Sequence, residues 1–169
     1  TRSLAVTITG EKVYREIIHD GAVLTRIASS HIRVGTFEYI SNFHPDIMRT
    51  FTNYCIDRHY PEISGTKNLI LSFFKMVMDK QIDLIVHWNR VGFIHGVMNT
   101  DNMSISGETI DFGPCAFMNT YNPATVYSSI DKNGRYAFAN QSKIGQWNLS
   151  VFASCLLPII SDNKEIAIG

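Results

Sequence analysis

Two short segments of the chain carry the side chains best suited to hold a metal ion. The run His-Gly-Val-Met-Asn-Thr-Asp-Asn ends with Asp101 and Asn102, and the run Asp-Phe-Gly-Pro begins at Asp111. Together they place two carboxylates and one side-chain amide within a short stretch of sequence. Mg²⁺ prefers oxygen ligands and is usually bound by one or two carboxylates together with substrate phosphates. The sequence therefore predicts a divalent-cation site, for Mg²⁺ above all.

Protein kinases place the same ligands in a catalytic loop, H-R-D-x-x-x-x-N, which is followed by D-F-G. His95 falls on the His of that pattern, Asn102 on the Asn, and Asp111 on the Asp of D-F-G. The position of the catalytic Asp holds Val97, which can neither accept a proton nor bind a metal, whereas Asp101 directly precedes the metal-type Asn. The metal-binding half of a kinase site is present, while the proton acceptor is missing from its usual place, which is typical of a pseudokinase.

The segments before these motifs predict a β-hairpin and a helix. Residues 3–9 and 12–18 are rich in β-branched and apolar side chains and are separated by Thr9-Gly10-Glu11, which predicts two strands and a turn, with Asp20-Gly21 ending the second strand. From residue 22 to about 39 the spacing favours a helix, on which Arg26 and Arg33 would share one face and could clamp a phosphate chain. On spacing alone, solvated surface charges or structural ion pairs remain the commoner explanation for two such arginines.

Three more helices are predicted, and they make the chain α+β. They cover residues 42–59 with an Asn cap, 66–93 with a long buried stripe, and 140–160 with an end at Pro158. The long helix leads straight into the metal loop and would hold it rigidly. Residues 103–105 and 109–111 read as two short strands, whose pairing would return Asp111 to the side of Asn102. We interpret His95 as a structural hydrogen-bonding residue and Cys115 as a packed thiol.

Length and composition restrict the class of protein. The 169 residues suit a single domain, 1–169, and the 15 basic and 15 acidic residues give no sign of electrostatic binding to nucleic acid. We find no apolar run of about 18 residues, so no membrane span is expected. The three cysteines, Cys55, Cys115 and Cys155, are widely separated and odd in number, which favours a reducing, intracellular compartment over a disulfide framework.

Several segments closely resemble the selenoprotein O family, and the likeness runs from end to end of the chain. They are residues 21–37, 95–103, 109–117, 133–136, 140–141 and 146–149. The resemblance implies a protein-kinase-like fold, here mainly the helical C-lobe with a small N-terminal β-hairpin. It implies a protein adenylyltransferase that binds ATP in a flipped orientation and transfers AMP to Ser, Thr or Tyr hydroxyls of protein substrates. A bacterial member would be cytoplasmic, and eukaryotic members are mitochondrial.

The same resemblance assigns roles to individual residues. Asp101 would be the proton acceptor, Asn102 and Asp111 the ligands of Mg²⁺ or Mn²⁺, and Arg26 and Arg33, together with Asp111, the nucleotide-binding residues. Family members carry a Gly-rich phosphate loop and an ATP-contacting Lys ahead of these segments, and neither is visible here. We therefore expect a fragment that lacks most of the N-lobe, which leaves open whether it acts alone. The alternative function is a non-catalytic, nucleotide-binding pseudokinase that serves as an interaction module.

Overall fold

The structure is a computed structural model, and it describes residues 1–160. Within that range the chain forms two small antiparallel sheets and four α-helices, so the α+β class is confirmed. The predicted domain boundary at residue 169 lies outside the described residues. The elements, in chain order, are β1 (Arg2–Tyr14), β2 (Ile18–Ile27), α1 (Val34–Phe43), α2 (Met48–His59), α3 (Leu69–Arg90), β3 (Phe93–Ile94), β4 (Ala116–Phe117) and α4 (Gln141–Ile160). None of the helices in the described range is both long and apolar enough to cross a membrane.

The core lies where α1, α3 and α4 meet. Phe37, Phe73 and Phe152 contribute one fully buried ring from each helix, with ring centroids 4.9 to 6.0 Å apart. Phe152 packs edge-to-face on both Phe37 and Phe73, and such pairs contribute about 0.5–1.5 kcal/mol each beyond the area that they bury. Gly145 of α4 allows the two long helices to approach closely, because a Cβ there would lie 2.2 Å from Cδ1 of Ile85. This packing fixes α3 and α4 as the frame that carries the loops between them.

The N-terminal hairpin forms, but its predicted turn is wrong. The strands run to Tyr14 and from Ile18, so the chain reverses at residues 15–17 and not at Thr9-Gly10-Glu11. Gly10 instead has φ of 78° within a register shift, where residues 9–11 of β1 lie opposite residue 21 of β2, so that two extra residues are accommodated as a bulge. Gly21 does not end the second strand but lies within β2. A Cβ at this position would lie 2.8 Å from the Glu11 carbonyl oxygen, so the close approach of the two strands explains why the residue is glycine.

The helix predicted from residue 22 to about 39 is also wrong in its first half. Arg26 belongs to β2, and α1 begins only at Val34, with Arg33 as its N-cap residue. The β-branched residues at 23, 25 and 27 alternate as a strand requires, and this period prevails over the helical spacing. The two arginines therefore do not share a helix face, and any joint role must come from the tertiary structure.

The later elements differ from prediction mainly at their ends. The predicted helix over 42–59 is two helices, because α1 continues to Phe43 and α2 starts at Met48 after a 3₁₀ turn at Pro45–Ile47. Helix α3 is confirmed over Leu69–Arg90, and Gly92, with φ of 67°, reverses the chain into β3. Pro158 lies inside α4 and does not end it, since a proline near the end of a helix removes a single hydrogen bond. The strand pair predicted at 103–111 is reduced to one bridge, between Met103 and Thr109.

Candidate functional site

The loop that leads to Asn102 is held by hydrogen bonds from two side-chain amides of α4. The buried Gln141 side chain accepts a hydrogen bond from the His95 backbone N–H at 3.0 Å and donates one to the Phe93 carbonyl oxygen at 3.0 Å. Asn148, also buried, donates to the Met98 carbonyl oxygen at 2.8 Å. Loop backbone that is buried must find such partners. Residues 93–98 are thereby fixed on the helical frame.

His95 joins the two predicted metal segments. Its ring is fully buried, with Nε2 2.7 Å from the Ile110 carbonyl oxygen and Nδ1 3.3 Å from the Val97 backbone nitrogen. A carbonyl can only accept and a backbone N–H can only donate, so these contacts require the neutral tautomer with hydrogen on Nε2. Burial lowers the pKa of His95, although the Ile110 carbonyl and the charge of Asp111 oppose that shift. The interpretation of His95 as a structural hydrogen-bonding residue agrees with these contacts.

Asn102 is oriented so that its oxygen is the atom left to bind a cation. It closes a 3₁₀ turn, Thr100–Asn102, and its Nδ2 donates to the Val97 carbonyl oxygen at 2.9 Å. Because the amide nitrogen is used in this way, Oδ1 is the side-chain atom with ligand chemistry. Asp101, in the middle of the turn, has an exposed side chain that solvent or a substrate can reach.

Asp111 has an unusual backbone conformation. Its φ of 54° lies in the left-handed region, and it is the one non-glycine residue within residues 1–160 with positive φ. Its Oδ1 accepts a hydrogen bond from the Gly113 backbone N–H at 3.2 Å, which is the local contact that lets Asp adopt this conformation. Such conformations cost about 1–3 kcal/mol and cluster at functional sites. The exposed carboxylate of Asp111 is thus presented from a strained, specified turn.

Arg26, Arg33 and Asp111 line one cleft of about 190 Å³. The Arg26 guanidinium lies 3.8 Å from the centroid of the Phe112 ring, a cation–π contact that holds the arginine over the segment carrying Asp111. Arg33 reaches the same cleft from the N-cap of α1. The three residues predicted to bind nucleotide therefore line the same cleft, brought together by a strand and a helix start and not by a shared helix face; their nucleotide-binding role stays a prediction.

The cleft lining does not include Asp101 or Asn102, which lie on the neighbouring turn. Arg33 forms a β-bridge with Ser104 and His95 bonds to Ile110, so both sides of the cleft are tied to the loop that carries these two residues. Across residues 1–160, no three His, Cys, Asp or Glu side chains are grouped closely enough to hold a metal by themselves. An amide oxygen and a carboxylate are both ligand types that Mg²⁺ accepts, and this ion commonly completes its shell with water and substrate phosphates.

A family model described as protein adenylyltransferase SelO matches residues 1–167. The chain belongs to the SelO family. It is 59% identical over 99% of its length to the protein nucleotidyltransferase YdiU of Rhizobium etli, and 57% identical over 99% to those of Alcanivorax borkumensis and Pelagibacter ubique. It covers 34%, 35% and 35% of those proteins, so it spans about a third of the length of the relatives that it matches.

Sequence reasoning gave no individual role to the two α4 residues that bond to the backbone of the loop next to this candidate site. Gln141 and Asn148 are polar side chains on the buried face of α4, next to apolar Ile144 and Phe152. Buried amides in an otherwise apolar helix face usually satisfy backbone groups of a neighbouring segment. That pattern was visible in the sequence, but the loop served by these amides was not.

Proposed function

We propose that this chain forms the metal- and phosphate-binding part of an enzyme that transfers AMP from ATP to hydroxyl groups of proteins. The observation that carries the proposal is the cleft shared by Arg26, Arg33 and Asp111, tied through His95 to the loop of Asn102. The names of the relatives, which describe nucleotidyltransferases, support the same reaction class. We also infer a kinase-like arrangement, in which α1, α3 and α4 correspond to the helical lobe.

The proposed roles follow from what each group can do. Arg33 offers a planar fork of donors, and Arg26 retains N–H groups beyond those that its Nε and Nη2 donate to Thr1 at 2.9 and 3.1 Å. Guanidinium donors suit phosphate oxygens and offset the charge that develops on a departing pyrophosphate. Asn102 Oδ1 and the Asp111 carboxylate would hold Mg²⁺, which would supply positive charge to offset that of the phosphate oxygens. The hydroxyl oxygen of the protein substrate would form a bond to the α-phosphorus while the bond to pyrophosphate breaks.

Asp101 would take the proton of that hydroxyl. Its carboxylate is exposed, so that a substrate hydroxyl can reach it, and it is directly adjacent in sequence to the proposed metal ligand Asn102. General-base assistance of this kind contributes about 10²–10⁴-fold to rate. Val97, at the kinase position for this role, has no group that accepts a proton.

The test compares ATP labelled at the α-phosphate with ATP labelled at the γ-phosphate. The 169-residue chain is assayed alone and set into the Rhizobium etli relative in place of the matched segment, each with Mg²⁺ and candidate protein substrates. We expect protein-bound label from the α-position alone, and its loss in Asp111→Asn and Asp101→Asn. Asp83→Asn, which changes an exposed carboxylate of α3, is the matched control and should label like the parent.

Two results would contradict the proposal. Label from the γ-position would indicate an ordinary kinase. Nucleotide binding without label from either position would indicate the alternative, a non-catalytic nucleotide-binding module.

A further inference from the structure

The start of α1 is fastened to the turn that carries Asp101. The Val34 backbone N–H donates to the Met103 carbonyl oxygen at 2.9 Å, and the Ile105 N–H donates to the Ile32 carbonyl oxygen at 3.0 Å. The Thr100 hydroxyl, which is buried, donates to Oε2 of Glu38 at 2.8 Å. Helix and turn therefore share hydrogen bonds on both sides of Asp101, so that they form one rigid unit.

Gly35 is the α1 residue that lies directly against Asp101. A Cβ at residue 35 would be 2.3 Å from Oδ1 of Asp101, 3.1 Å from its backbone nitrogen and 3.2 Å from its Cα. Gly35 does not have positive φ, so its backbone conformation is open to any residue. Glycine inside a helix costs about 0.5–1 kcal/mol relative to alanine, and here the missing side chain is what makes room for the carboxylate.

Gly35 and Glu38 stand three residues apart on α1, a spacing that puts them on one face of the helix. Gly35 has no side chain and so leaves space for that of Asp101. Glu38 accepts a hydrogen bond from Thr100, the residue before Asp101. The same helix start carries Arg33, which lines the candidate phosphate cleft. Helix α1 thus sets the Asp101 carboxylate and one cleft arginine in a fixed relation.

We propose that Gly35 and Glu38 are positioning residues for Asp101. The space left by the missing side chain of Gly35, together with the Glu38–Thr100 hydrogen bond, holds the Asp101 carboxylate where it meets the substrate hydroxyl. Neither residue touches the reacting atoms. This inference rests on the proposed function, because it concerns the residue to which that function assigns the proton.

The expected effect of Gly35→Ala follows from the geometry. Carbon–oxygen contacts are normally about 3.3 Å or longer, so Oδ1 must move by about 1 Å when the Cβ is added. A misplacement of about 1 Å can reduce turnover by about 100-fold. The carboxylate can rotate away while the backbone shifts by only a few tenths of an ångström, so the fold should survive. We therefore expect kcat for AMP transfer to fall by about 100-fold with the KM for Mg-ATP within twofold of the parent.

Thr100 provides a second, independent variant pair. Thr100→Val removes the hydroxyl at constant shape, and we expect kcat to fall by about tenfold, since a hydrogen bond to a charged group is lost. Thr100→Ser keeps the hydroxyl and should restore most of the parent rate. Asn42→Ala, at an exposed position of the same helix, is the matched control and should not change kcat.

A structural measurement separates this inference from the proposed function. The ¹³C resonance of the Asp101 carboxyl carbon, assigned through Asp101→Asn, should shift in Gly35→Ala and Thr100→Val and stay in place in Thr100→Ser and Asn42→Ala. An unchanged resonance in the first two variants overturns the inference, as does an equal loss of kcat and nucleotide affinity. If the parent transfers no AMP, the proposed function fails, while the resonance still decides whether Gly35 and Glu38 set the carboxylate.

Discussion

Replacing His95 with leucine tests whether this buried ring holds the two halves of the site together. Leucine fills much of the same space against Trp88, whose ring centroid lies 5.1 Å from that of His95. It removes the donor to the Ile110 carbonyl oxygen and the acceptor for the Val97 N–H. The substitution therefore isolates the hydrogen bonds from the packing.

The expected loss can be worked out from these two contacts. A buried carbonyl left without a donor costs about 1–3 kcal/mol, and the weaker bond to the half-buried Val97 amide contributes about 0.5–1 kcal/mol. We expect His95→Leu to lower the free energy of unfolding by about 1.5–4 kcal/mol. Asp111, next to Ile110, would also lose the tie that supports its strained turn, so affinity for Mg²⁺ with nucleotide should fall as well.

Urea unfolding followed by tryptophan fluorescence measures this change, and replacing Trp147 with Phe in every variant leaves Trp88, next to the substituted position, as the reporting indole. With a slope of about 2 kcal/mol per molar urea, the midpoint should fall by about 1–2 M. His95→Gln places an amide donor near the former Nε2 and should recover about half of the loss. His87→Leu, at an exposed position near the end of α3, should stay within about 0.5 kcal/mol of the parent. A His95→Leu midpoint equal to that of His87→Leu would refute the reasoning, as would the absence of any recovery in His95→Gln.

Three further outcomes are expected. Burial lowers the pKa of His95 below 6.5, so the unfolded state binds more protons than the folded state below that pH. The free energy of unfolding should therefore fall as pH drops below about 6.5, by up to about 1.4 kcal/mol per pH unit. The fall should be smaller in His95→Leu. Gly145→Ala should cost about 1–3 kcal/mol by urea unfolding because its Cβ meets Cδ1 of Ile85, whereas Ile85→Val, which lacks that atom, should reduce the cost when combined with it. Burial raises the pKa of Cys55 to about 12 and that of Cys155 to about 11. A thiol reagent at pH 8 should therefore react slowly and modify only the partly exposed Cys115 in the folded chain. Cys115→Ala should abolish the reaction.

The sequence predicted best those features that depend on a single long period or a specific motif. Helix α3 follows from its buried stripe, and the two metal-type segments follow from residue identity. The hairpin was found, but its turn was misplaced because Gly10 is equally compatible with a turn and with a bulge. Only the pairing with β2, whose register shifts between Ile8 and Lys12, distinguishes the two.

The position of the arginines shows why site geometry could not be read from spacing. A seven-residue separation fits a shared helix face, yet Arg26 ends up on a strand and Arg33 at a helix cap. They meet in the cleft because Arg26 contacts Phe112 and the residues around Arg33 pair with Ser104. Both contacts join segments that are far apart in sequence, and local periodicity carries no information about such contacts.

The order of the site depends on an element that comes late in the chain. Gln141 and Asn148 bond to loop residues 46 and 50 positions earlier, and His95 is among the groups that they hold. The loop therefore lacks these partners until α4 packs on α3, and that packing is closest at Gly145 and Ile85. A weakened crossing of the two helices would loosen the loop that carries Asp101 and Asn102, although neither residue contacts the crossing. The stability of the site thus depends on the packing of α4 on α3, while its chemistry depends on the few side chains that the loop presents.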